Sequence, residues 1–344
     1  MFFASDNSGP VHPEVLEALS EANMGYAMGY GADAQMEAVR QRLRDIFEAP
    51  EAAIYLVATG TAANSLALAT LSEPFQTIFC SPVAHIHEDE CNAPEFYTGG
   101  AKLTLVPGGD KMTPKALRQS IAGEETRGVH GPQRGPVSIT QVTERGSVYS
   151  CDELTALCAV AKDYGLPVHL DGARFTNALV SLKCSPAEMT WKAGIDAVSF
   201  GGTKNGLMGV EAVIFFDPKH AWEFELRRKR GAHLFSKHRY LSAQMLAYLR
   251  NDLWLSSAQA ANASAAFLAE GLRNAGATFQ SDPEANMVFA ALPRSTHKRL
   301  MAAGAVYHLW DGPLEGPDDA PVTARFVCDW SISREEITAF LNLL

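Results

Sequence analysis

The stretch DAVSFGGTKNGLMG (residues 196–209) places a single lysine directly after a predicted core strand. The apolar run 197–200 predicts that strand, and two glycines and a threonine then lead to Lys204. A second apolar run, GVEAVIFF (209–216), predicts another strand. A lysine here could lie along the surface on its aliphatic stem. The glycines favour a different interpretation, because they let the backbone approach a ligand closely.

Strand and helix patterns alternate along the chain before this stretch. Such alternation predicts an α/β fold with a mostly parallel sheet that helices cover on both faces. The carboxyl ends of the strands, where open α/β sheets bind ligands, then lie along one edge. Strands are predicted at 52–58, 77–80, 102–106, 137–142, 167–171 and 196–200, and helices at 13–22, 35–49, 61–71, 113–122 and 151–165. Short strands at 286–292 and 323–328 indicate a smaller carboxyl-terminal unit.

Two further strand ends carry polar residues. In VATGTAAN (57–64), the residues Thr59, Gly60 and Thr61 stand between a strand and a helix, where free N–H groups bind anions. Small residues at that place are also typical of a plain turn. In PVHLDGARFTNA (167–178), Asp171 ends a strand and requires a cationic partner. The alternative is that Asp171 caps the next helix and pairs with Arg174.

Together, the three strand ends combine an anion site, a carboxylate and a lysine. These are the groups that pyridoxal phosphate needs: an anion site for its phosphate, a carboxylate for its ring nitrogen and an amine for a Schiff base. The sequence therefore predicts pyridoxal phosphate as cofactor, and it predicts no metal site.

The sequence resembles the low-specificity L-threonine aldolases, which belong to the fold type I pyridoxal phosphate enzymes. The resemblance is carried by SDNSGPVHPEV (5–15), YGAD (30–33), ATGTAAN (58–64), AHIHEDE (84–90), DGAR (171–174) and GGTKNG (201–206), in that order. It implies a transferase-like fold with a mostly parallel seven-stranded sheet in a large domain and a small carboxyl-terminal α+β domain. The implied ranges are 1–20 for a segment near the active site, 21–250 for the large domain and 251–344 for the small one.

The resemblance also implies a reaction and the residues that serve the cofactor. The family cleaves L-threonine, L-allo-threonine and related β-hydroxy-α-amino acids to glycine and an aldehyde by retro-aldol chemistry. In this chain Lys204 would form the Schiff base, Asp171 would pair with the ring nitrogen, and His85 would lie flat on the ring. The remaining cofactor contacts would come from Thr59, Gly60, Thr61, Arg174 and Thr203 and, from a partner subunit, from Lys229 or Arg230.

Substrate contacts follow from the same resemblance. Ser5, Arg174 and Arg325 match positions that hold the substrate carboxylate, and Tyr30 matches one that reaches a neighbouring subunit. His130 matches a histidine proposed as base for the substrate hydroxyl, and Asp89 could hold a water nearby. His85, His130 and Lys229 also have plainer interpretations, as a core or turn histidine, a loop histidine and part of a solvated charged face. Where many family members have a glycine triplet before an arginine, this chain has HLFSKHR (233–239), so Lys237 or Arg239 replaces that arginine.

Composition narrows the class of protein. The formal charge of −10 and the pI near 5.5 argue against a general role on nucleic acid or an anionic membrane. The six cysteines form no C-x-x-C pair, and no apolar stretch approaches the length of a membrane span. We therefore expect a cytoplasmic enzyme with small-molecule substrates. The resemblance implies that it is a homotetramer. The alternatives are another fold type I lyase or aminotransferase, and a regulatory or scaffold protein that has lost the cofactor.

Overall fold

The computed structural model describes residues 1–344 and contains two β-sheets. Strands of the large sheet are β1 (Ala53–Val57), β2 (Gln76–Cys80), β3 (Lys102–Leu105), β4 (Gln133–Thr140), β5 (Val168–Gly172), β6 (Ala197–Gly201) and β7 (Glu211–Phe215). Their order across the sheet is β1-β7-β6-β5-β4-β2-β3. Strands of the small antiparallel sheet are β8 (Thr278–Phe279), β9 (Met287–Pro293), β10 (His308–Leu309) and β11 (Pro321–Val327).

Thirteen α-helices surround the sheets. They are α1 (Pro13–Ala22), α2 (Ala34–Ile46), α3 (Gly60–Leu71), α4 (His85–Glu88), α5 (Ala93–Thr98), α6 (Pro114–Gly123), α7 (Cys151–Asp163), α8 (Phe175–Leu182), α9 (Ala221–Arg230), α10 (Arg239–Leu249), α11 (Leu253–Asn274), α12 (Arg294–Ala302) and α13 (Arg334–Leu341). No helix is long and apolar enough to cross a membrane.

The prediction of a mostly parallel, seven-stranded sheet is confirmed. Strands β2 to β6 pair in parallel, whereas β7 runs antiparallel to both of its neighbours, β1 and β6. The link between β6 and β7 is too short for the crossover that a parallel partner requires. In the resulting register Gly201 and Val57 both pair with Glu211. The carboxyl ends of β1 and β6 therefore meet the start of β7 at one edge of the sheet.

Burial explains why these strands read as continuous apolar runs. Every residue of β1, β5, β6 and β7 is buried, since helices cover both faces of the sheet. Helix α3 is buried over almost its whole length, and its small alanine and serine side chains let it pack close to the sheet. This packing fixes the first turn of α3 directly after β1.

The amino-terminal segment joins the two sheets. Phe3 lies in the core under the small sheet, where it makes edge-to-face contacts with Phe326 and Phe340. Its neighbour Phe2 pairs with Val306. Residues 5–8 therefore pass between the two sheets, at the carboxyl edge of the large one.

Candidate active site

Two adjoining cavities open at the carboxyl edge of the large sheet. The first, of about 370 Å³, lies between the start of α3 and the loop that carries Lys204, and we call it the cofactor-side cavity. The second, of about 580 Å³, lies between the two sheets, and we call it the substrate-side cavity. Asn7, His85 and Lys204 line both. Lys204 therefore stands where the two cavities meet.

The Lys204 loop is fixed from below by a buried carboxylate. Glu211, at the start of β7, accepts a hydrogen bond from the Gly202 N–H at 2.6 Å and one from the Thr203 hydroxyl. The Thr203 hydroxyl in turn accepts the Val210 N–H at 3.2 Å. Burial raises the pKa of Glu211 to about 7. The loop is thus tied to the start of β7 just before its lysine.

Asp171 heads a chain of buried polar groups at the floor of the cofactor-side cavity. The Asn64 amide donates to Asp171 Oδ2 and to Glu90 Oε1, both at 2.9 Å. Glu90 Oε1 also lies 3.0 Å from His85 Nδ1. This hydrogen bond is the main reason that the pKa of His85 is raised. These hydrogen bonds fix the Asp171 carboxylate and the His85 imidazole, which both face the cavity.

The opposite end of the cofactor-side cavity is the start of α3. Thr59 caps this helix by accepting the Ala62 N–H at 3.2 Å, which leaves the N–H groups of Gly60 and Thr61 without partners in the helix. A side chain built on Gly60 would meet no atom within 4 Å, so the glycine backbone borders open space. Free N–H groups and the helix dipole make this end an anion site.

These groups fit pyridoxal phosphate. The helix start suits a phosphate, Asp171 suits a protonated ring nitrogen, and Lys204 supplies the amine. His85 provides a flat wall on the same cavity. No group of His, Cys, Asp or Glu side chains is arranged to hold a metal ion.

Arginines dominate one wall of the substrate-side cavity. Arg174 donates through Nε and Nη2 to Asp6 at 2.7 and 3.0 Å, and its Nη1 makes no hydrogen bond within the chain. The alternative in which Arg174 pairs with Asp171 is therefore wrong. The Asp171 carboxylate instead accepts hydrogen bonds from the Asn64 amide and the Ala173 N–H. Arg325 lies over the Trp310 ring, 5.4 Å from its centroid. Ser5 and Asp89 line the same cavity.

His130 is not brought to this site. It lies in a 3₁₀ turn (Gly128–His130) just before the amino end of β4, whereas Thr140, at the other end of that strand, pairs with Asp171. Eight strand residues separate the two ends, a distance of roughly 25 Å. Within one chain the expectation that His130 shares a water with Asp89 is wrong, since the two residues lie at opposite edges of the sheet.

The residues expected to serve a partner subunit lie on the surface. The Lys229 ammonium stands 5.2 Å from the centre of the Tyr30 ring, and neither residue lines either cavity of its own chain. Arg239 donates to the Gly25 carbonyl at 3.0 Å, and Lys237 is exposed. Neither Lys237 nor Arg239 reaches the cavities of the same chain.

Sequence reasoning missed most of the supporting carboxylates. Asp6, Glu90, Glu144 and Glu211 all border Lys204, His85 or Arg174, but only Asp6 and Glu90 fall within the segments that carry the resemblance. The signal that could have found Glu211 is its charge at the start of an otherwise apolar run.

Comparisons with known proteins agree with this geometry. The family model described as beta-eliminating lyase matches residues 3–294. The low specificity L-threonine aldolase of Pseudomonas aeruginosa is 40% identical over 337 residues, covering 97% of this chain and 94% of that protein. The Saccharomyces cerevisiae protein of the same name is 26% identical, covering 81% of this chain and 70% of that protein. The solved structure of a Leishmania major threonine aldolase is similar in fold, with a TM-score of 0.92, 24% identity and coverage of 99% and 98%.

Proposed function

We propose, since this chain belongs to the beta-eliminating lyase family, that it is a pyridoxal phosphate-dependent aldolase. Its substrates would be L-threonine, L-allo-threonine and related β-hydroxy-α-amino acids, which it would cleave to glycine and an aldehyde. The resemblance seen in the sequence motifs is confirmed by the relatives at 40% and 39% identity, both of which carry the name low specificity L-threonine aldolase.

One observation carries the proposal. Lys204 stands at the junction of a cavity with an anion site and a buried carboxylate, and of a second cavity with two arginines. The first cavity suits the cofactor and the second suits an amino-acid carboxylate, because arginine binds carboxylates with its planar fork. A scaffold protein that had lost the cofactor would have no reason to keep a half-buried lysine, a buried aspartate and two arginines around open space.

Bound pyridoxal phosphate would supply an electron sink for the bond that breaks at the amino-acid Cα. The protein would do the rest. Arg174 and Arg325, with Ser5, would orient the substrate carboxylate, and Asp171 would keep the ring nitrogen positively charged. Thr59, Gly60, Thr61 and Thr203 would hold the phosphate end. His85, held by Glu90, would fix the ring against the opposite wall.

We also propose a homotetramer in the cytoplasm whose active sites lie at subunit boundaries. The supporting observation is the loop 23–32, which exposes Met24, Tyr26 and Met28 next to Tyr30. Exposed apolar side chains so close together are typical of an interface. Lys229 and Tyr30 would then complete a partner's site, and Lys237 or Arg239 would lie nearby.

The direct test is a coupled assay of acetaldehyde release with purified protein and added cofactor. We expect cleavage of L-threonine and L-allo-threonine and none of their D forms. Release of pyruvate or ammonia from serine or cysteine without aldehyde would instead identify a β-eliminating lyase. Transfer of the amino group to a keto acid would identify an aminotransferase.

A further inference from the structure

Glu144 has no assigned partner and faces the substrate-side cavity. It lies in the loop after β4, at the carboxyl edge of the sheet, and lines that cavity together with Arg174, Lys204 and His85. Its carboxylate is half-buried and is affected by the charges of these three residues, but it makes no hydrogen bond within the chain. A carboxylate that is partly withdrawn from water without a hydrogen-bond partner destabilises the folded protein. We therefore expect a bound molecule to supply the hydrogen bond.

The other groups that could take a proton there are less suited to it. Glu88, Asp89 and His308 line the same cavity, but each is exposed to water. His85 is already engaged through Nδ1 with Glu90 and forms a wall of the cofactor-side cavity. Burial raises the pKa of Glu144, although Arg174 and Lys204 oppose this. A carboxylate withdrawn from water is a stronger base than an exposed one.

We propose that Glu144 accepts the proton of the substrate β-hydroxyl group, an inference that rests on the function proposed above. The O–H bond breaks and its proton passes to a Glu144 oxygen. The electron pair left on the oxygen forms the C=O bond of the departing aldehyde. As the Cα–Cβ bond breaks, bound pyridoxal phosphate would supply the electron sink for its electron pair, and Cα then takes up a proton to give glycine.

The position of Glu144 fits this role. Arg174 and Arg325 hold the substrate carboxylate on one wall, and Lys204 marks the place of Cα. Glu144 lines the same cavity as these residues, so it borders the space that the side chain of such a substrate would enter. No other half-buried side chain of the cavity both carries a carboxylate and lacks a partner.

The test compares the Glu144→Gln holoenzyme with the wild type in three measurements. Aldehyde release from L-threonine and L-allo-threonine requires the β-hydroxyl base, whereas exchange of the glycine α-proton in D₂O, followed by NMR, does not. The visible spectrum reports cofactor binding. We expect kcat for both aldehyde-forming reactions to fall on the order of 10²-fold, the usual effect of losing a general base, while exchange and spectrum remain as in the wild type. Glu270→Gln, which changes an exposed carboxylate on α11 that lines neither cavity, is the matched control and should change none of the three.

Each other outcome contradicts the inference in a recognisable way. Wild-type aldehyde release by Glu144→Gln would place the base elsewhere. Equal losses of cleavage and glycine exchange would show that Glu144 only shapes the site. A wild-type protein that binds cofactor but releases no aldehyde from either substrate would refute the proposed function, and the role of Glu144 with it.

Discussion

Asp171 is the carboxylate that would keep the ring nitrogen of the cofactor positively charged, so that the ring can accept electrons in the proposed reaction. It is almost fully buried, and both of its oxygens are held, by the Asn64 amide at 2.9 Å and the Ala173 N–H at 3.1 Å. Neither donor carries a charge, so the cationic partner of this carboxylate is not supplied by the chain. A protonated pyridine nitrogen in the cofactor-side cavity would meet that need.

Replacing Asp171 by asparagine tests this assignment. The amide keeps the shape of the side chain but cannot stabilise a positive ring nitrogen. We expect Asp171→Asn to retain the cofactor and to lose kcat on the order of 10²–10³-fold, as when one preorganised electrostatic partner is removed. Steady-state kinetics and the visible spectrum give the two quantities. Wild-type turnover in this variant would mean that the ring nitrogen has another partner.

The residues of the site that follow a strand were predictable, and those that support them were not. Lys204, Asp171 and Thr59 stand directly after apolar runs, so their place at one edge follows from the parallel sheet. The pairing of Asp6 with Arg174 joins residues 168 positions apart and depends on how the amino-terminal segment packs. The expected closeness of His130 to Asp89 does not hold within one chain, because a motif match does not show at which end of a strand a loop lies.

The start of β7 connects the anion site at the start of α3 with the loop that carries Lys204. Because β7 is antiparallel to both neighbours, Glu211 lies between the strand that leads to Thr59 and the strand that leads to Lys204. The apolar run 209–216 predicted a strand, but it did not reveal this direction. Short elements were also missed: the two-residue strands β8 and β10 have too few residues to show an alternating pattern.

The raised pKa of Glu211 predicts a pH dependence of stability in the cofactor-free protein. Burial moves this pKa from 4.5 to about 7, so the folded protein binds the proton more tightly than the unfolded chain does. The contribution of Glu211 to the free energy of unfolding is complete at pH values below the pKa that this group has in the unfolded chain. It is lost as the pH rises through the pKa that the group has in the folded protein. Between these limits we expect the free energy of unfolding to fall by roughly 3 kcal/mol on account of this group.

Urea unfolding of the cofactor-free wild type and of Glu211→Gln, at acidic and at mildly alkaline pH, measures that difference. Glutamine can still accept the Gly202 N–H but does not titrate, so its pH dependence should be shallower. Parallel curves for the two proteins would show that Glu211 is not the group responsible.

The proposed assembly rests on one region of the molecular surface. Lys229 and Tyr30 lie against each other outside both cavities, beside a loop that exposes Met24, Tyr26 and Met28. The sheet and its helices were predictable because their patterns are local. An assembly depends on surface complementarity, which a single sequence does not display.

We expect the wild type to behave as a homotetramer in light scattering. Tyr26→Arg should give smaller species with reduced activity, because a charge would be buried at the interface without a partner. Phe75→Arg changes an exposed aromatic residue at the amino edge of the sheet and should leave the assembly intact. A monomeric wild type with full activity would refute the proposed assembly.

The central claim, that Lys204 holds pyridoxal phosphate, is tested most directly by reducing the holoenzyme with borohydride and mapping the modified peptide by mass spectrometry. Reduction converts a Schiff base into a stable secondary amine, which marks the lysine that carried it. The structure predicts a phosphopyridoxyl group on Lys204, since this is the lysine that lines the cavity containing Asp171 and the start of α3. An unmodified Lys204, or modification of a different lysine, would contradict the account.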